Sequence, residues 1–74
     1  MTTFRDHVRR AVKIAGTEHK LAAAIGISQP SVNHLCRHAK SIRAEVALAI
    51  EKATDGQVHR ADLRPDLWSR EAAA

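Results

Sequence analysis

Apolar residues recur along this chain at three- and four-residue intervals, with polar residues between them. Phe4, Val8, Ala11, Val12 and Ala15 share one side of a helix expected over about 4–15, with Thr3 to cap it, Asp6 in its first turn and Gly16 to stop it. Thr17 offers a second cap for EHKLAAAI, a short helix over about 18–25 whose alanines let another helix approach closely. The stretch IGISQPSVNHL, residues 25–35, then places a sharp corner inside the apolar pattern. Gly26 supplies the positive φ that ends the second helix, Ile27 turns into the core, and Ser28 caps the third helix. Pro30 is tolerated in a first turn, where its missing N–H has no helical partner. Over about 29–38, Val32, Leu35 and Cys36 fall on one side of this third helix. Pro30, Asn33, His34, Arg37 and His38 fall opposite, flanked by Gln29 and Ser31.

RAEVALAIEKATDG predicts a fourth helix over about 43–54, with Val46, Ala47, Ile50 and Ala53 inward and Asp55 and Gly56 at its end. VHRADLRPDLW has the spacing of one more helical turn stopped by Pro65, from which Val58, Leu63, Leu67 and Trp68 can fold back. Leu67 and Trp68 either close the protomer's own core, the nearest apolar surface, or form a dimer contact. Nothing alternates with period two, so the fold class is all-α, a compact bundle of four to five helices. Residues 1–70 are expected to form one domain, with a frayed tail at 71–74.

Composition adds constraints to this outline. A chain of 74 residues buries only about 60% of its unfolded surface, so burial against a second copy or a ligand is expected to matter. Cys36, the single cysteine, has no partner for an internal disulfide, and MTTFRDHVRR lacks the apolar run of a signal peptide, which makes the cytoplasm the expected compartment. The net charge of +4 is unevenly distributed. Residues 1–43 hold eight Lys and Arg against Asp6 and Glu18, a net of +6, whereas residues 44–74 hold four against six, a net of −2. A polyanion is the expected partner of such a basic half. On the first helix Arg5, Arg9 and Lys13 form a stripe that faces water or phosphate, and Asp6 stands four residues before Arg10 in the favourable orientation for a pair.

A helix, a corner containing Gly, and a second helix with a polar outer face together make the helix-turn-helix that reads DNA. From Glu18 onward, Leu21, Ala22, Ile25, Gly26, Ile27, Val32 and Leu35 stand where that motif has its apolar, small and glycine positions. The run GISQPSVNHLCRHAKSI resembles the corresponding stretch of the Cro family. The C-terminal IEKATDGQVHRADLRPDLW resembles the small prophage regulators of the YdaS-like branch of the Cro superfamily, whose ends carry a similar DLRPD signature. Lambda Cro continues into strands, whereas the fourth helix and Pro65 here predict a helical end, so its dimer is not transferred.

The resemblance implies a lambda repressor-like DNA-binding domain whose third helix enters the major groove of double-stranded DNA as a homodimer on a palindromic operator. Gln29 and Asn33 can each pair with adenine and Arg37 with guanine, with Ser31 and His34 assisting. Phosphate contacts are expected from Thr17, His19 and Lys20 at the start of the second helix, from Ser28 at the corner, and from Lys40, Ser41 and Arg43 in the loop. Two half-sites about one turn of DNA apart, roughly 34 Å, are then needed for adequate specificity. Repression by promoter occlusion is the simplest outcome.

Other chemistry is poorly represented. HLCRH invites a metal site, but Cys36 is expected to face the core and His34 and His38 to face outward. His59 is expected to cap or flank the tail helix, and His7 to lie at the surface. No paired carboxylates, Gly-rich phosphate loop or nucleophile with a base is present, so neither an enzyme nor a cofactor is expected. The rival reading is an interaction module, an antitoxin or anti-regulator that binds a toxin or other regulator protein through its acidic C-terminal half.

Overall fold

The computed structural model describes residues 3–69, and the expected fraying of 71–74 lies outside them. Five helices follow one another without strands among the described residues: α1 (Phe4–Ala15), α2 (Glu18–Ile25), α3 (Gln29–Arg37), α4 (Ala44–Ala53) and α5 (Arg60–Leu63). Val8, Ala11, Leu21, Ala22, Val32, Cys36, Ile42, Ala47, Ile50, Val58 and Leu63 form one core, with Phe4, Val12, Ala15, Ile25, Ile27, Leu35, Val46 and Trp68 packed against it. α1 contacts each of the other four helices, and α2 lies between α3 and α4. The small Ala22, almost fully buried, permits close packing at this centre.

The helix ends show why the elements stop where they do. Asp6 accepts from the Thr3 backbone N–H at 2.9 Å, and the Thr17 hydroxyl accepts from Lys20 N–H at 3.1 Å. Ser28 Oγ accepts from Ser31 N–H at 3.3 Å. Gly26 is left-handed at φ 76°, and its N–H donates to the Ala22 carbonyl at 2.9 Å. The third helix is one residue shorter than expected, because His38 turns away at φ −128° while its N–H and that of Ala39 both donate to the His34 carbonyl. The fourth is one residue shorter at each end. Arg43 is an extended N-cap and Thr54 is the C-cap.

Several expectations about side chains need correction. Ala53 is exposed, and Thr54, the C-cap that follows it, turns inward instead. Its hydroxyl donates to the Ile50 carbonyl at 2.8 Å and accepts from Val58 N–H at 3.1 Å, fastening the tail to α4. Asp6 pairs with Arg9 at 2.6 Å rather than with Arg10, whose guanidinium reaches across to the Gln57 carbonyl. Leu67 does not fold back: it is 50% exposed, whereas Trp68 packs on the core as one of the two expected alternatives. His7 is half-buried rather than superficial.

Polar contacts reinforce the burial of Val58, Leu63 and Trp68 in holding the tail. Glu51 accepts from Arg60 three ways, at its backbone N–H (2.8 Å), Nε and Nη2, and the Arg60 guanidinium lies 5.6 Å from the centre of the Trp68 ring. These donors hold the Glu51 carboxyl below its ordinary range, the Arg60 side-chain hydrogen bond contributing most. His59 caps α5, its Nδ1 accepting from Ala61 N–H at 3.0 Å. Arg64 grips Asp66 at 2.7 Å and donates to the Ile42 carbonyl at 2.9 Å, which gives DLRPD a mechanical role in joining tail to loop.

Candidate nucleic-acid interface

The corner at 26–28 fixes α3 so that its core side, Val32 and Cys36, is buried while Gln29, Pro30, Ser31, His34, Arg37 and His38 remain exposed and Asn33 half-exposed. The outer surface divides into two stripes. Gln29, Asn33 and Arg37 follow one another at four-residue spacing on the side nearer the start of α2, spanning about 12 Å from end to end. Ser31 and His34 lie on the other side, where with Lys40, Ser41 and Arg43 they line a groove of about 610 Å³ floored by Ile27, Leu35, Ile42 and Val46. The His34 and His38 rings stand 6.3 Å apart, tilted at 40°. The base-reading candidates are therefore divided between the two stripes, Gln29, Asn33 and Arg37 on one and Ser31 and His34 on the other, with Arg37 at the far end from Gln29.

The phosphate candidates form two clusters at the edges of this surface. Thr17, His19 and Lys20 are exposed around the N-terminus of α2, whose first-turn N–H groups favour anions. Lys40, Ser41 and Arg43 are exposed in the loop before α4. Ser28, at the corner, is already engaged, its hydroxyl 2.8 Å from that of Ser31. The stripe on α1 is less available than its sequence suggests, since Arg9 is paired with Asp6 and Arg5 donates to the Ala39 carbonyl at 3.4 Å.

One residue at this surface carries contacts that the sequence pattern does not reveal. Glu18, the first residue of α2, accepts from Gln29 Nε2 at 2.6 Å and from Asn33 Nδ2 at 3.3 and 3.4 Å. A carboxylate only accepts, so both amides must turn their NH2 ends toward it. Glu18 shares a cleft of about 200 Å³ with Arg9, Val12, Cys36 and Arg37. Its spacing of 11 and 15 residues from the two amides belongs to the corner's geometry, and no local sequence signal marks it. Cys36 itself is buried, which pushes its thiol up and away from the reactive thiolate. His34 and His38 face outward, so the three cannot share an ion, and among the described residues no group of three or more His, Cys, Asp or Glu is placed to hold one.

Comparison with known proteins gives this arrangement a context. The family described as "Bacterial toxin YdaS" matches residues 8–71, most of the chain and all of the helix-turn-helix. The chain belongs to the YdaS family. A curated relative from Escherichia coli (strain K12), "Putative transcriptional regulator YdaS", is 39% identical over 62 residues, covering 82% of this chain and 63% of the relative. The chain thus spans somewhat under two thirds of that YdaS protein's length. No solved structure matches. The resemblance of IEKATDGQVHRADLRPDLW to the YdaS-like branch is thereby supported over residues 8–71. No helix among the described residues is long and apolar enough to cross a membrane.

Proposed function

We propose that this chain is a sequence-specific DNA-binding transcriptional regulator, a Cro-like repressor that occludes a promoter as a dimer on a near-palindromic operator. The observation that carries the reading is the α2–α3 corner: Gly26 in the left-handed conformation, a buried Val32 and Cys36 beneath, and an exposed polar surface above. The α3 surface enters the major groove, where Gln29 and Asn33 meet adenine edges, Arg37 meets guanine, and Ser31 and His34 assist. Thr17, His19, Lys20, Ser28, Lys40, Ser41 and Arg43 bind phosphates on either side and set the register. The curated relative's description as a transcriptional regulator supports the same reading. No cofactor or catalytic step is needed.

The family's description as a toxin favours a second reading, in which the chain acts by binding a protein partner. The two readings separate in one experiment. Purified protein is incubated with sheared genomic DNA at physiological salt, and bound fragments are sequenced. Enrichment of a few sites sharing a near-palindrome supports the regulator, while even recovery that collapses with salt shifts the reading to nonspecific DNA binding or a protein partner. Gln29→Ala combined with Asn33→Ala is expected to lower preference for those sites by at least tenfold with helicity unchanged. Unchanged selection by that variant would overturn the assignment of α3 as the reader.

A further inference from the structure

Glu18 places an acidic group in the most basic half of the molecule, beside the α2 turn that offers Lys20 and His19 to phosphate. A carboxylate there weakens attraction to DNA of any sequence. The same carboxylate holds the NH2 ends of Gln29 and Asn33, the former at 2.6 Å, and these amides stand one helical turn apart on α3.

We infer that Glu18 is a specificity-determining positioning residue, which fixes the sense of the two reading amides and discounts binding to DNA that does not use them. This rests on the DNA-reading function proposed above. A free carboxamide can rotate by half a turn and present donor or acceptor to the same base edge. Adenine demands one order, NH2 toward N7 and C=O toward the N6 amino group. Each NH2 carries two hydrogens. One bonds Glu18 and the other remains for N7, while the carbonyl oxygen stays available to accept from N6. Glu18 thereby removes the reversed orientation without consuming the reading atoms. An amide at position 18 lacks this power, since it can accept or donate and so tolerates either sense. It also lacks the charge that opposes binding to random phosphates.

The decisive variant is Glu18→Gln, close in shape, measured in the full chain against the enriched genomic site and against random duplex. The ratio of affinities is expected to fall about tenfold. Affinity for random duplex is expected to rise about threefold at low salt, with the gain shrinking as salt screens the lost charge. In the Gln29→Ala, Asn33→Ala background the same substitution should leave the ratio unchanged, because the groups it positions are gone. A test in the free protein needs no DNA: side-chain amide resonances of Gln29 and Asn33 should move on Glu18→Gln while those of Gln57 stay in place. An undiminished ratio in Glu18→Gln, or unmoved amide resonances, overturns the role of Glu18 alone. Absence of any preferred site for the parent protein overturns the DNA-reading function and this role with it. Should Glu18→Gln lose helicity, Glu18→Asp is used, whose shorter carboxylate cannot reach both amides and which is expected to lower the ratio without raising random affinity.

Discussion

Thr54 is a polar side chain inside an apolar core, and its hydroxyl serves the Ile50 carbonyl and the Val58 N–H together. Thr54→Val keeps the shape but leaves Val58 N–H buried without that acceptor, which costs about 1–3 kcal/mol. Calorimetry should show a drop in Tm of several degrees, whereas Thr54→Ser should recover most of it. Glu51 presents a pH-dependent case. Its carboxyl is held low by Arg60, so the folded state binds a proton less readily than the unfolded chain. The resulting stabilisation is complete above the ordinary glutamate value of 4.5 and is lost as pH falls through the lower folded value. Glu51→Gln is therefore expected to be less stable than the parent at neutral pH, by about 1 kcal/mol. Denaturant midpoints of the two proteins should converge on acidification below about pH 4.5. A gap that stays constant in acid would refute the argument.

The helices were legible from their apolar spacing, and α2 and α3 also from their caps: Thr17, Ser28 and Gly26 all act as their positions imply. What escaped were contacts that run between elements. Ala53 reads as apolar and inward, yet it is the C-cap Thr54 that turns inward, and hydrophobicity alone cannot detect a threonine whose partners lie in the following loop. The Asp6–Arg10 pair fails for the same reason, since Arg10 finds the Gln57 carbonyl 47 residues away. At the site, the polar surface of α3 was readable from 100° steps, but the Glu18 bridge requires knowing the angle between two helices. That angle depends on Gly26. A Cβ there would meet nothing within 4 Å, so the penalty of Gly26→Ala is the left-handed backbone at φ 76° alone, about 1–2 kcal/mol. Gly26→Asn should be tolerated better in thermal melts. Equal losses for Ala and Asn would point to a steric cause.

On the proposed DNA-reading function, the uneven charge of the chain, +6 over residues 1–43 and −2 beyond, would orient the molecule before any base is read. Lys20→Ala removes a cation from the edge of α2 and is expected to weaken binding to all sequences alike, with the salt slope reduced by about one ion. Competition titrations at several salt concentrations would show this, and a loss confined to the preferred site would place Lys20 at a base instead. The protomer measures 31 × 24 × 20 Å. Two copies with their α3 helices about 34 Å apart on one face of DNA would stand side by side with little surface to spare. Among the described residues, Ile14, Leu48 and Leu67, at 37%, 40% and 50% exposure, are the large apolar side chains available for such a contact.

The chain holds one tryptophan and no tyrosine, and that ring lies against Arg60 at the point where the tail meets the bundle. Intrinsic fluorescence is consequently a private optical channel for the tail, while circular dichroism averages over the helices. An emission change that precedes loss of ellipticity on heating would time the detachment of the tail without any label.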